Sequence, residues 1–170
     1  MSIPIADFPG ESIMNEARSI SLLEQREIEA RIVGPLYRAF AAEIGTDRAR
    51  EIIASVILEQ AQNAGAQSAA NGTPNDIEGL CSLITGWQAG SALELTIINR
   101  NENHLDFDVT RCRFAEMYHR LGLQELGPIL SCQRDAAFAH SFNRSLELHR
   151  TQTIMEGASH CDFRFNLNES

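Results

Sequence analysis

The chain has 170 residues, a formal net charge of −9, and 44% hydrophobic and 22% charged residues, which is typical of one globular domain of ordinary size. The negative charge argues against nucleic-acid binding, because that affinity comes largely from neutralising phosphates. No apolar run approaches the roughly 18 residues that span a bilayer, and Met1 to Pro9 lacks the basic and apolar segments of a signal peptide. We therefore expect a single cytoplasmic domain over residues 1–170, without membrane or nucleic-acid partners.

The inventory of reactive side chains is unusual. All fourteen basic residues are arginines, so chemistry that needs a lysine amine is excluded, including pyridoxal-phosphate Schiff bases and Ser–Lys dyads. A coding bias towards arginine is the simpler explanation of the composition, but the exclusion holds in either case. In a reducing compartment, cysteines serve as buried thiols, metal ligands or nucleophiles more often than as disulfides. The four cysteines are Cys81, Cys112, Cys132 and Cys161.

The N-terminal third predicts an arm followed by a helix. Met1 to Met14 contains two prolines and scattered apolar residues, which favours an extended arm. From Asn15 to Ile44 the pattern is helical. We expect Gly34–Pro35 to break or kink this helix and Gly45 to end it. Large apolar residues recur at every fourth position: Ile28, Ile32, Leu36, Phe40 and Ile44.

Two further helices are predicted before the first strand. Thr46 is expected to cap a helix from about Asp47 to Ala70. The last third of that helix, Ala61 to Ala70, is rich in small residues, which lets another backbone approach closely. Thr73–Pro74 fits the cap and first position of a third helix that runs towards Trp87.

The second half of the chain predicts two hairpins with helices between them. Alternating apolar residues in Leu93 to Ile98 and Leu105 to Thr110 indicate two strands joined by a turn at Asn99 to Asn103. Short turns imply antiparallel pairing. The expected fold is therefore α+β, with N-terminal helices packed on an antiparallel sheet of about four strands. The remaining elements are two helices, Cys112 to Leu121 and Gly127 to Phe142, and two strands, Ser145 to Met155 and Cys161 to Leu167.

Cys132 and Asp135 are the leading candidates for chemistry. They are three residues apart, so they are neighbours on a helix surface. Cys132 lies near the start of that helix, where the dipole and Arg134 favour a thiolate. On this hypothesis Cys132 is a nucleophile and Asp135 positions the substrate or a proton-transfer partner. The alternative is that Cys132 is a buried thiol and Asp135 a surface carboxylate.

Other candidates surround this pair. Cys112 and Glu116 share a helix face, and His160 precedes Cys161 at the start of the last strand. Zinc accepts such ligands, but a close Cys-x-x-Cys pair is missing and adjacent strand residues diverge, so we predict no metal and no cofactor. Arg150 can hold a substrate carboxylate, although an ion pair with Glu147 or Asp162 is the simpler role.

Several stretches together resemble the L-2-amino-thiazoline-4-carboxylic acid hydrolase family. The ordering Cys, then Cys-x-x-Asp, then Gly-x-x-His-Cys-Asp-Phe is specific, whereas the likeness of the N-terminal helices is not. The resemblance covers nearly the whole chain. The specific stretches are Val109 to Tyr118, Cys132 to Asp135, and Arg150 to Phe165.

The resemblance implies an enzyme that opens a five-membered ring at an amidine-like carbon and gives a carbamoyl-cysteine. Another cyclic amide, isothiourea or ureide would need the same chemistry. The implied roles are attack by Cys132, positioning by Asp135, proton transfer by His160 and a carboxylate anchor at Arg150. The substrate-binding set implied with Arg150 is Cys112, Glu116 and Cys161.

Two other functions remain open. Gly157-x-x-x-Cys161-x-Phe163 also resembles the 4-vinyl-reductase-type domains that sense small molecules without catalysis. In that family a further Cys and Glu bind zinc, and Thr153 and Arg150 stand at those places here. The other alternative is an assembly protein whose helical half forms a homo-oligomer.

Overall fold

Over residues 20–168, the part of the chain that it describes, the computed structural model contains five α-helices and four β-strands. The predicted arm from Met1 to Met14 lies outside these residues. The α+β class and the order of helices, hairpin, helices and hairpin are confirmed. The helices are α1 (Leu22–Ile44), α2 (Thr46–Ala70), α3 (Ile77–Trp87), α4 (Arg113–Arg120) and α5 (Arg134–Phe142), and the strands are β1 (Leu93–Arg100), β2 (His104–Cys112), β3 (Leu146–His149) and β4 (Cys161–Leu167).

The four strands form one antiparallel sheet in the order β1-β2-β4-β3. In its centre Phe107 of β2 lies opposite Phe163 of β4, and their rings stack with centroids 4.8 Å apart. Because successive side chains of a strand point to opposite faces, Leu105, Phe107 and Val109 share the face of Phe163 and Phe165. Buried residues of α3 and α5 cover this face and complete the core.

Helix α1 begins with a capping box. The Ser21 hydroxyl accepts a hydrogen bond from the Glu24 amide at 3.2 Å, and the Glu24 carboxylate accepts one from the Ser21 amide at 2.8 Å. The helix then continues through Pro35, so Gly34–Pro35 does not break it, and the predicted alternative of a kink stays a prediction. Gly45 ends it with φ of 86°, as predicted. Gly45 also occupies the cap position of α2, so the predicted cap at Thr46 is wrong: Thr46 is already helical.

The buried face of α1 is not its stripe of large apolar residues. Ala30, Gly34 and Tyr37 face the interior, where Gly34 lies against the Leu123 side chain. The stripe residues are between 45% and 59% exposed: Ile28, Ile32, Leu36, Phe40 and Ile44. We call these five residues the α1 stripe. Helix α1 therefore has one apolar face inside the protein and a second on the surface.

Helix α2 packs closely along α5, as its small residues predict. A Cβ added at Gly65 would lie 2.3 Å from the carbonyl oxygen of Phe138. Such a contact brings two backbones together and leaves no room for a side chain.

Helix α3 starts later than predicted. Its cap is Asp76, whose carboxylate accepts a hydrogen bond from the Gly79 amide at 2.9 Å, and Thr73–Pro74 precedes the helix. The predicted cap at Thr73 is therefore wrong, because the carboxylate of Asp76 is the group that satisfies a free amide of the first turn.

Two predicted elements are shorter in the structure. The helix expected from Gly127 to Phe142 is divided into a π-helical turn, Pro128–Cys132, and α5. The strand expected from Ser145 to Met155 ends at His149. The next segment leaves the sheet because the Asp162 carboxylate accepts hydrogen bonds from the amides of Thr151 (3.0 Å) and Gln152 (2.9 Å). At both places the chain leaves regular structure, and there the side chains of Cys132 and Arg150 line a cavity.

Candidate functional site

A cavity of about 320 Å³ lies where α1, α2 and α5 face β2 and β4. This volume is in the range of small-molecule sites. Its wall is mostly apolar and aromatic, with Trp87, Phe114, Phe138 and Phe163 among the lining residues. The polar lining residues are Gln25 and Arg26 of α1 and a group around Cys132, which consists of Ser131, Arg134, Asp135 and Arg150. The cavity therefore suits a small ligand that combines an apolar body with polar groups.

Three of the four thiols line this cavity. Cys112 ends β2 and caps α4, where its sulfur accepts a hydrogen bond from the Ala115 amide at 3.4 Å. Cys161 begins β4, and its sulfur accepts one from the Ile154 amide at 3.2 Å. Cys132 ends the π-helical turn. Cys81 is not part of the wall.

Burial favours the protonated form of these thiols. It raises the pKa of Cys112 to about 11 and raises the pKa of Cys161 as well. For Cys132, burial and then the nearby Asp135 carboxylate raise the pKa, and the Arg150 guanidinium opposes them. The surroundings of Cys132 therefore favour the thiol over the expected thiolate, and Arg150 rather than Arg134 is the cation that opposes this shift.

An ion pair joins α5 to the end of β3. The Arg150 guanidinium donates to the Asp135 carboxylate at 2.6 Å and to the carbonyl oxygen of Cys132 at 2.9 Å. It also lies over the Phe163 ring, 4.8 Å from the centroid. Burial raises the pKa of Asp135 although Arg150 opposes the shift. A carboxyl with a raised pKa is suited to taking and returning a proton.

The structure brings together five of the seven predicted site residues. Cys112, Cys132, Asp135, Arg150 and Cys161 all line the cavity. Arg150 pairs with Asp135, so the simpler role expected for it, pairing with Glu147 or Asp162, is wrong. A carboxylate fifteen residues away reaches it because α5 packs beside β3.

Glu116 and His160 do not reach the cavity. Glu116 is half exposed and pairs with Arg111 at 2.7 Å. The His160 ring contacts the Gln152 amide group at 2.9 Å and the Ser159 hydroxyl at 3.1 Å, and it lies 3.7 Å from the Asp108 carboxylate. Neither side chain is placed to touch a ligand that fills the cavity.

Two charged residues of the cavity wall are absent from the predicted set of catalytic and substrate-binding residues. Arg26 of α1 and Arg134 of α5 both line the wall. Arg134 lies inside the Cys132 to Asp135 motif and was expected only to favour the Cys132 thiolate, not to line a ligand site. Arg26 carries no such signal, because it is brought to the cavity by the packing of α1.

Within residues 20–168, no group of three or more His, Cys, Asp or Glu side chains is arranged to hold a metal ion. The helices in the same part of the chain include none with the length and apolarity needed to cross a bilayer.

Comparison with solved structures finds similarity to the crystal structure of the phenol-responsive sensory domain of the transcription activator PoxR with phenol. The two share 13% sequence identity with a TM-score of 0.48, over 80% of this chain and 73% of that one.

Comparison with curated proteins finds no match. The family model described as L-2-amino-thiazoline-4-carboxylic acid hydrolase matches residues 25–165, which include every element from α2 to β3 and all the polar groups of the cavity. The chain therefore belongs to the L-2-amino-thiazoline-4-carboxylic acid hydrolase family.

Proposed function

We propose that this protein is a hydrolase that opens a small cyclic amidine or amide ring, with a 2-aminothiazoline-4-carboxylate-like molecule as substrate. The observation that carries the proposal is the convergence of the Cys132 thiol, the Asp135 carboxyl and Arg150 on one cavity of small-molecule size. Family membership supports the reaction class.

In the first half-reaction, the sulfur of Cys132 forms a bond to the ring carbon that carries the amino group, and its proton passes to Asp135. The bond between this carbon and the ring sulfur then breaks, and the departing sulfur takes the proton from Asp135. The product of this half is an isothiourea bound to Cys132, with the ring open. Asp135 is needed as a base because the resting thiol is protonated.

In the second half-reaction, water adds to the same carbon and one of its protons passes to Asp135. The carbon–sulfur bond to Cys132 breaks, and the sulfur recovers its proton from Asp135. The remaining hydrogen of the water moves to the former ring nitrogen, which leaves a carbamoyl group. Overall, one water molecule is consumed and the enzyme is unchanged.

Arg150 is a positioning residue in this scheme. Its hydrogen bonds to the Asp135 carboxylate and the Cys132 carbonyl hold the base and the nucleophile on the same wall. Cys112 and Cys161 supply weakly polar wall that the substrate contacts. We assign proton transfer to Asp135 rather than to His160, because His160 does not line the cavity.

A second candidate function is ligand binding without catalysis. The raised pKa of Cys132 favours this second function, because an activated cysteine nucleophile usually has a lowered pKa. In this case the cavity would hold a small molecule and release it unchanged.

The experiment that separates the two functions is a mass-spectrometric screen of cyclic amidines, ureides and lactams for the gain of one water molecule. Hydrolysis predicts a product with the wild-type protein and a loss of more than about 100-fold in turnover for Cys132→Ser and Asp135→Asn. Cys81→Ser is the matched control, because this thiol lies outside the cavity. Full turnover by Cys132→Ser would exclude the nucleophile, and binding without any product would favour the second function.

We also propose that the protein is a homo-oligomer, in which two copies pair through the α1 stripe. The five side chains are each about half exposed. Together they present on the order of 500 Å² of apolar surface per copy, and two copies reach the roughly 1,000 Å² that a specific interface needs. A stripe on a long helix can also pair with the same stripe of a second copy in an antiparallel arrangement, as a two-fold dimer requires.

A further inference from the structure

Two arginines lie side by side at the α1 end of the cavity. Arg26 comes from α1 and Arg134 is the first residue of α5, and both contribute to the wall. Their side chains are only 13% and 11% exposed. Buried charges need partners, so each donor group of these two guanidinium groups is expected to have an acceptor.

The hydrogen bonds leave part of each guanidinium without an acceptor. Nη1 of Arg26 donates to both oxygens of Glu29, at 2.7 and 2.6 Å. Nε of Arg134 donates to the Leu130 carbonyl at 2.7 Å, and its Nη2 makes long contacts with Glu29 (3.5 Å) and Gln60 (3.4 Å). Among the residues that the structure describes, no acceptor meets Nε or Nη2 of Arg26 or Nη1 of Arg134.

The charges at this end do not cancel. Arg26 and Arg134 share one carboxylate, that of Glu29, whereas Arg150 has Asp135 as its own partner. The arginine pair therefore leaves an excess of one positive charge on the wall of a largely apolar cavity. Burial, and next the charge of Arg26, lower the pKa of Arg134, which is consistent with a cation short of compensation. An anionic ligand group would supply the missing charge.

We propose that Arg26 and Arg134 form the subsite that binds the carboxylate of the ligand. This inference rests on the proposed function, which it deepens by naming the anchor and requiring an anionic substrate. It also replaces Arg150 as the anchor expected from the sequence, because Arg150 has the Asp135 carboxylate as its own partner, whereas Arg26 and Arg134 share that of Glu29. Planar guanidinium groups are well matched to carboxylates.

The test uses thiazole-4-carboxylate and thiazole-4-carboxamide, two aromatic rings that differ in charge and are not substrates for ring opening. Calorimetric titration should give tighter binding of the carboxylate to the wild-type protein. We expect Arg26→Gln and Arg134→Gln each to weaken carboxylate binding by about tenfold or more and to leave carboxamide binding unchanged. Arg31→Gln is the matched control, since this exposed α1 arginine pairs with Glu27 at the surface.

The outcomes separate this inference from the proposed function. If the wild-type protein does not prefer the carboxylate, or if both variants keep the preference, the subsite is wrong even when ring opening is observed. If the preference is lost in the variants but no substrate is hydrolysed, the subsite stands and the hydrolase proposal fails. Should Arg134→Gln fold poorly because it loses the bond to Leu130, Arg26→Gln alone decides.

Discussion

At the scale of single residues, the Arg150–Asp135 pair is the central feature of the site. It connects α5 to the segment after β3, and Arg150 also fixes the main chain at Cys132. The side chains are 14% and 23% exposed, so both charges are largely withdrawn from water. A pair in this setting is costly to break, because the remaining charge stays buried without compensation.

We therefore expect Arg150→Met to destabilise the protein by about 3 kcal/mol, since it leaves Asp135 without its cation. Urea unfolding measures the change. Arg120→Met is the control: Arg120 is 61% exposed and pairs with Glu27 at the surface, so its loss should cost no more than about 1 kcal/mol. Equal losses of unfolding free energy in the two variants would show that the Arg150–Asp135 pair stabilises the protein no more than a surface ion pair does.

Asp162 should make stability depend on pH. Although burial opposes the shift, hydrogen bonds from the Thr151 hydroxyl and from the amides of Gln152 and Thr151 lower its pKa to about 2, from an ordinary value of 3.8. A lowered pKa in the folded state means that the unfolded chain binds the proton more tightly. The stabilisation is thus complete above about pH 4 and is lost as the pH falls to about 2.

The measurement is the unfolding free energy of wild type and Asp162→Asn across this pH range. The wild type should be the more stable near neutral pH, and the difference should shrink as the pH approaches 2. A difference independent of pH would mean that the contribution of Asp162 does not come from its charge.

At the scale of elements, the contact between α2 and α5 sets the width of the cavity. Ala61 and Ala64 of α2 and Phe138 of α5 belong to its wall, and Gly65 lies in the closest contact between the two helices. Since a Cβ at this position meets backbone rather than a movable side chain, the helices would have to separate to admit one.

Gly65→Ala should accordingly destabilise the protein by about 2 kcal/mol, although alanine favours helix. Gly86→Ala is the opposite case, because Gly86 is helical and a Cβ there meets nothing within 4 Å. That substitution should stabilise by about 0.5 kcal/mol. Thermal or urea unfolding compares the two, and a stabilising Gly65→Ala would contradict the close contact.

At the scale of the whole molecule, helix α1 contributes both to the cavity wall and to the apolar surface of the protein. Leu22, Gln25 and Arg26 of α1 line the cavity, while the α1 stripe is exposed on another face of the same helix. Pairing of two copies through the stripe would therefore involve the same helix that supplies Arg26 to the proposed carboxylate subsite.

The oligomer proposal predicts that Ile32→Glu converts a dimer into a monomer, because a charge would be buried inside the interface. Light scattering coupled to size exclusion gives the mass. Ile98→Glu is the matched control, since Ile98 is 56% exposed on β1 and Ile32 is 59% exposed on α1. A monomeric wild type at micromolar concentration, or dissociation by Ile98→Glu alone, would contradict pairing through the stripe.

Local sequence patterns determined the type and order of the elements and some of their ends. The last strand has the predicted bounds, Cys161 to Leu167, because an alternating pattern reports directly which residues are extended. Gly45 ended α1 as predicted because its backbone angle is one that other residues rarely adopt. The Cys132-x-x-Asp135 spacing likewise predicted that the two side chains are neighbours, because residues three apart in a helical segment lie on the same side. Both side chains line the same wall of the cavity.

Tertiary packing decided the rest. The α1 stripe has the same period whether it faces core or solvent, so the periodicity predicts a helix but not which face is buried. The partner of Arg150, the approach of Arg26 to the cavity and the exclusion of His160 from it depend on elements distant in the chain. Local propensity carries no information about such contacts, because the energy that selects them arises only when the helices and the sheet close around one cavity.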